Sequence, residues 1–272
     1  MKNKLAIDNK NFMNWDDPGV ALITGASSGM GAEFSRQLAA QGFDLMLVAR
    51  RQEKLDSLSK ELQEKFSINA EVLIADLSNS ADNNMMVSKI KKIENLDVLI
   101  NNAGFGIMNK FLDSELNKLV DMITVHFTSP VMFCHSAIPI MLKRKRGVII
   151  NTSSMAVFLL QGGLMYSNTK AAITFFSELL GKDIRGKGIY IQSLCPGFTH
   201  TEFADTDLMR GVHKMLDMLP PEMWMTAEEV VSLSLASVKN RDIIFIPGEH
   251  NAIQAKKLRK KSVKKYLDAR IL

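Results

Sequence analysis

This 272-residue chain is poor in the residues that define several protein classes. It has two cysteines, Cys134 and Cys195, too few and too far apart for a disulfide framework. Both read as reduced thiols, which points to the cytoplasm. No uncharged apolar run approaches the roughly 20 residues that span a bilayer, and the polar stretch Met1–Asp17 holds no apolar signal core. The scattered histidines His135, His200, His213 and His250 make no His-x-x-x-His pattern, so no metal is expected. There is no internal repeat, no low-complexity linker and no composition break.

What is present is a globular composition, 46% hydrophobic and 23% charged, long enough for one large α/β domain. The net charge of +5 is unevenly placed. Lys256, Lys257, Arg259, Lys260, Lys261, Lys264, Lys265 and Arg270 face only Asp268 near the C-terminus, leaving a nearly neutral body. Residues 251–272 therefore read as a basic tail. It is either a solvated terminal helix or a weak contact for an anionic membrane surface. With one aromatic, Tyr266, and no base-reading motif, nucleic acid is not expected as a partner.

Short apolar runs alternate with amphipathic segments. Val20–Thr24, Leu45–Ala49, Glu71–Ala75, Val98–Ile100, Val148–Ile150, Tyr190–Leu194 and Ile243–Ile246 read as strands. Runs apolar at successive positions fit a parallel sheet covered by helices on both faces. The expected fold is a single α/β domain with a doubly wound sheet of about seven strands. Its limits are 20–250, after an N-terminal extension of 1–19.

Thr24-Gly25-Ala26-Ser27-Ser28-Gly29-Met30-Gly31 lies between the first strand and the first helix. Glycines there let the backbone approach a pyrophosphate, and the helix N-terminus supplies N–H donors. At the end of the second strand an NAD-binding chain places Asp or Glu. Here that place is Ala49, followed by Arg50 and Arg51. A guanidinium pairs with a 2′-phosphate, so NADP(H) is the expected cofactor. The plain alternative is that both arginines cap a helix or point to solvent.

Tyr166 and Lys170 are four apart in a segment that reads as helix, so they share one face. A cation beside a phenol favours the phenolate. Bringing a pKa of about 10 down to ~7 takes roughly 4 kcal/mol. The result is an acid/base suited to an alcohol or a carbonyl.

Together these motifs, with Asn101-Asn102-Ala103-Gly104 and Pro196-Gly197 in order and at similar spacing, resemble the NADP-dependent short-chain dehydrogenases/reductases. That family includes ketoacyl reductases and hydroxysteroid dehydrogenases. The resemblance runs from about Val20 to Gly248 and implies a Rossmann-type fold. It also implies that Asp76, with Leu77, contacts adenine, and that Asn102, Ala103 and Gly104 floor the ribose site. Tyr166 would be the acid/base, and Lys170 would hold the nicotinamide ribose. Pro196, Gly197, Thr199 and Thr201 would seat the carboxamide. A serine after the fifth strand would bind the substrate oxygen. The strand alignment points to Ser154, and the distance back from the tyrosine points to Ser153. His126 stands where the family usually has an asparagine that holds a relay water. A substrate lid is expected over about 199–225, including Phe203, Leu208, Met209, Met215, Leu216, Met218, Leu219, Met223, Trp224 and Met225. Met155, Val157, Phe158, Leu159 and Leu160 would add to it. This apolar set suggests a small hydrophobic carbonyl or alcohol substrate, with Met155, Phe158, Phe203 and Met209 in contact, or else helix core or a dimer contact. A homodimer or homotetramer is implied through the helices after strands four and five, compatible with Phe175-Phe176 and Leu179-Leu180.

Overall fold

The computed structural model describes residues 15–107, 109–158, 163–205, 209 and 218–268. Seven parallel strands form one sheet: β1 (Val20–Thr24), β2 (Asp44–Ala49), β3 (Ala70–Ile74), β4 (Leu96–Asn101), β5 (Gly147–Thr152), β6 (Ile189–Leu194) and β9 (Ile244–Phe245). Their order is β3-β2-β1-β4-β5-β6-β9. The last strand is shorter than Ile243–Ile246, because only Ser193 and Leu194 of β6 pair with it. The other six sit within one or two residues of their expected places.

Continuous apolar strands follow from burial on both faces. On one face Ala21, Ile23, Leu45, Leu47, Val98 and Ile100 pack against α1 (Gly29–Ala39) and α2 (Gln52–Phe66). On the other, Leu22, Met46, Val48, Leu99 and Ile149 pack against α3 (Ser80–Ile90) and α5 (Ser129–Arg144). Alternate side chains thus enter two cores, each burial worth about 1.5–3 kcal/mol. α6 (Leu164–Asp183) lies beside β6, α7 (Ala227–Ser237) lies against α1, and α8 (Glu249–Asp268) ends the described chain.

α4 (Leu116–Ile123) runs into α5 through a π-helical turn, Thr124–Thr128. The joint helix, Leu116–Arg144, is long and apolar enough to cross a membrane by length and composition alone, and half of its most apolar window is buried in the fold.

Three boundaries differ from expectation. Trp15 packs edge-on to Phe43 and under the Arg146 guanidinium, so the body begins before Val20. The basic tail is not a separate piece, since α8 starts at Glu249 and buries Asn251 and Ala255. The presumed lid begins and ends in two paired strands, β7 (Phe198–His200) and β8 (Trp224–Thr226), with His200 stacked on Trp224 at 4.6 Å. Of the four apolar residues on α6, Phe175 and Leu179 are exposed. Phe176 and Leu180 instead turn inward, Phe176 onto Phe127.

Candidate active site

Gly25, Arg50, Asp76, Asn102, Ser154 and Pro196 each follow a strand, and since all seven strands are parallel they gather at one edge of the sheet. That edge is where open α/β sheets bind ligands.

The glycine turn is built by its own sterics. Gly25 and Gly29 hold φ of +67° and +54°, a region costly for other residues. A Cβ on Gly31 would overlap the Gly25 carbonyl and meet Asn102 Nδ2. Thr24 Oγ1 accepts the N–H groups of Asn102 and Ala103 at 2.9 and 3.1 Å, and Asn102 Nδ2 donates to Thr24 O at 3.1 Å. The β1 and β4 loops are therefore one unit. No acidic residue occupies the first turn of α1, so Ser28, Gly29, Met30 and Gly31 present an N-terminus open to an anion.

The two arginines part. Arg50 Nη1 lies 3.7 Å from Asp76 Oδ2 and is largely exposed. Asp76 also accepts the Ser78 N–H and hydroxyl, and these bonds together with Arg50 hold its carboxyl below the usual range despite partial burial. Leu77 is buried, and its carbonyl accepts from Asn83 and Ser129. Arg51 turns to the glycine turn, donating to Ser27 Oγ at 2.9 Å and Ser28 Oγ at 2.6 Å.

On the catalytic side, Tyr166 and Lys170 do share one face of α6, with Lys170 Nζ 5.7 Å from the phenol ring centre. The ammonium is not seated at the phenol oxygen. It donates to Thr152 O at 2.8 Å. The expected lowering of the phenol by Lys170 is therefore not what the site displays. Burial raises the Tyr166 pKa, with the Ser154 hydroxyl pulling the other way. Burial brings Lys170 down to about 8.

Ser153 is not available to a substrate. It is buried, bonded to Lys170 O at 2.9 Å and to Thr174 Oγ1 at 2.6 Å. Ser154 faces Tyr166, and its Oγ accepts the Ala156 N–H at 3.1 Å, which leaves its proton to donate.

His126 lies in the π-helical turn, buried. Nε2 accepts the Phe105 N–H at 3.1 Å, and Nδ1 lies 2.9 Å from Thr169 Oγ1. The Thr169 hydroxyl donates to Tyr166 O at 3.0 Å, so Nδ1 must be the protonated nitrogen. Burial, and next the Lys170 charge, push the imidazole well below its ordinary pKa. The ring packs edge-on to Tyr166 at 5.6 Å.

The Pro196 carbonyl accepts the Met155 N–H at 2.9 Å. Gly197 sits against Asn251 of α8, Thr199 Oγ1 donates to the Gly197 carbonyl, and the Thr201 side chain presses on Gly29. Phe203 packs on Tyr166 at 5.8 Å, and both Phe203 and Met209 lie against Gly106. Met155 and Phe158 form a short 3-10 turn that contacts α6 and α8. Met218 is exposed, and Leu159, Leu160, Leu208, Met215 and Leu216 lie outside the described residues.

Sequence reasoning missed Phe105 and Ile107, which join Met122 and Leu119 as an apolar wall beside Tyr166. Their position just after Gly104 was the available signal. It also missed Glu202, whose carboxylate bridges Arg51 Nη1 at 2.7 Å and Lys54 Nζ at 2.6 Å.

Residues 19–209 match the family model described as short chain dehydrogenase. Very-long-chain 3-oxoacyl-CoA reductase-A of Danio rerio is 34% identical over 215 residues, covering 76% of this chain and 65% of that protein. The inactive hydroxysteroid dehydrogenase-like protein 1 of Homo sapiens is 28% identical over 195 residues, 71% of this chain and 58% of that protein. The chain thus spans less than two thirds of either relative's length. A short-chain dehydrogenase from Sphingobium yanoikuyae, solved in complex with NADPH, superposes with a TM-score of 0.79 at 30% identity, covering 94% of this chain and 96% of that one.

Proposed function

Since this chain belongs to the short-chain dehydrogenase family, an oxidoreductase family, we propose that it reduces the carbonyl of a hydrophobic substrate with NADPH, or oxidises the matching secondary alcohol. The observation that carries the reading is Tyr166 one helical turn before Lys170, whose Nζ lies 5.7 Å from the phenol ring and donates to Thr152 O at the end of β5, with the Ser154 hydroxyl as the phenol's polar neighbour.

The residues present fit a dinucleotide. The Gly25–Gly31 turn leaves room that a Cβ would fill, the α1 N-terminus is free of acid, and β2 ends on Ala49 and is followed by Arg50 and Arg51, with no carboxylate at that end of the strand. Arg50 and Arg51 with Ser27 and Ser28 would hold a 2′-phosphate, Gly29–Gly31 the pyrophosphate, Asp76 and Leu77 the adenine. Asn102, Ala103, Gly104 and Lys170 would hold the riboses, and Pro196, Gly197, Thr199 and Thr201 the carboxamide. A bound reduced nicotinamide supplies the hydride to the carbonyl carbon. Tyr166 delivers its proton to the carbonyl oxygen, and Ser154 donates a second hydrogen bond there as charge develops. A buried phenol with a raised pKa keeps its proton for donation, which suits reduction. Lys170, brought down to about 8, exchanges protons near neutral pH and recharges the phenol. Phe105, Ile107, Phe203 and Met209 favour an apolar ketone, and the name of the Danio rerio relative suggests a long-chain 3-oxoacyl one.

Tyr166→Phe is expected to bind NADPH as the wild type does and to lose about 10²–10⁴-fold in turnover on apolar ketones. Full reductase activity in that variant would defeat the mechanism. A second reading, an NADP(H)-binding regulator with little turnover, is favoured by His126 at the asparagine position and by a human relative named inactive. Tight NADPH binding with no oxidation of it against any ketone in a panel would select that reading.

A further inference from the structure

The loop after β7 does something the proposed chemistry does not use. Glu202 opens a 3-10 turn, Glu202–Ala204, capped by Thr201 Oγ1, which accepts the Phe203 N–H. Its carboxylate is divided between two cations, one oxygen on Arg51 at 2.7 Å and the other on Lys54 at 2.6 Å. Arg51 is in turn tied to Ser27 and Ser28 of the glycine turn. Two of the groups a phosphate monoester would recruit here, the Arg51 guanidinium and the Lys54 ammonium, are therefore already taken by a carboxylate, and the Ser27 and Ser28 hydroxyls hold the same guanidinium. The bridge crosses from the lid strand to α2, 151 residues apart in sequence for Arg51 and Glu202. The next residue, Phe203, lies on the Tyr166 ring. One strap thus touches both the phosphate end and the reactive end of the site.

We propose that Glu202 is an internal competitor for the cofactor's 2′-phosphate: its carboxylate holds the Arg51–Lys54 pair that the phosphate must take, and so it sets the selectivity for NADPH over NADH. This inference rests on the NADP(H) reading above. The physical argument is charge balance. Arg51 and Lys54 carry two positive charges, and Glu202 cancels one. A dianionic phosphate arriving there either displaces the carboxylate or sits beside a like charge, and both outcomes weaken its binding. A cofactor without the 2′-phosphate leaves the bridge intact. The strong hold that Lys54 and Arg51 exert on the Glu202 carboxyl, down to about 2, agrees with an occupied anion site.

The test is Glu202→Gln, which keeps the shape and removes the charge. Dissociation constants for NADPH, NADH and adenosine 2′-monophosphate are measured by fluorescence and calorimetric titration of the full chain at low and at moderate salt. The expected result is about three- to tenfold tighter NADPH and adenosine 2′-monophosphate in the variant, the size of one or two exposed ion pairs, with NADH unchanged. The gain should shrink as salt rises. An equal change for NADPH and NADH, or selective weakening of NADPH, overturns the proposal. A wild type that prefers NADPH with an unaltered ratio in the variant rejects the competitor and keeps the NADP(H) reading. A wild type with no preference, whose variant gains one, keeps the competitor. No preference in either protein rejects both.

Discussion

His126 carries its structural weight as a neutral, fixed tautomer. Its two nitrogens join the Phe105 backbone, just past Gly104, to Thr169 of α6, so one ring ties the loop after β4 to the helix that carries Tyr166 and Lys170. The sign of its pH dependence follows from burial. The folded protein holds the imidazole neutral well below the unfolded value of about 6.5. Unfolding therefore takes up a proton as pH falls below that value, so the contribution to stability is whole above it and declines toward the folded pKa. The slope approaches about 1.4 kcal/mol per pH unit. Urea denaturation from pH 7.5 to pH 5 should show wild type losing stability relative to His126→Asn, which has no proton to gain. Parallel curves for the two proteins would mean that the imidazole is charged in the fold. The serine pair carries the complementary lesson at this scale. Spacing left Ser153 and Ser154 open, because one residue's difference in a loop is invisible in a single sequence. Burial of Ser153 beneath Lys170 O and Thr174 takes its hydroxyl out of reach of a ligand and leaves Ser154 as the accessible member of the pair.

Elements were legible where one physical demand dominated. Six strands fell near their expected places because burial on two faces requires unbroken apolar runs, as in Leu45–Val48 and Val98–Ile100. The glycine turn was legible because only glycine satisfies its backbone. β7 and β8 were not, since three-residue strands leave no periodicity, and Trp224 and Met225 read equally well as lid or as core. The π-helical turn at Thr124–Thr128 escaped for a similar reason, since a single wider turn inside a long helix leaves no periodicity of its own. The turn also yields a test with its own control. Gly31→Ala forces a Cβ into the Gly25 carbonyl, and overpacking of that kind costs about 1–3 kcal/mol. NADPH affinity should fall at least tenfold, together with the melting temperature. Gly186→Ala meets no atom within 4 Å but also sits at φ +78°. It should cost about 1–2 kcal/mol of backbone strain and leave NADPH binding unchanged. Equal cofactor loss in both variants would show that the defect is general instability and not the shape of the turn.

At the scale of the molecule, the two edges of the sheet divide the work. The ligand edge is held by backbone turns, small polar contacts and half-exposed ion pairs, whereas the opposite edge is held by a buried carboxylate. Asp97, at the start of β4, is fully buried and accepts from Arg144, Arg146 and the Gly19 N–H, with Nε of Arg144 at 2.8 Å, Nη2 of Arg146 at 2.7 Å and Gly19 N at 2.8 Å. One carboxylate thereby fastens the entry to β1, the start of β4 and the segment between α5 and β5. Arg146 also covers Trp15, which extends the clamp to the chain before the sheet. Asp97→Asn would leave two part-buried guanidiniums without their counter-charge. Its cost should approach the roughly 3–5 kcal/mol lost when one partner of a buried pair is removed. Because the clamp lies a full strand length from the glycine turn, NADPH affinity of the folded variant should stay within about threefold of wild type, a coupling of under 1 kcal/mol. Denaturant midpoints and NADPH titration on one preparation separate the two effects. An unchanged midpoint would mean that solvent already satisfies these arginines. A tenfold loss of affinity with the fold intact would mean that strain passes along β1 and β4 to the ligand edge.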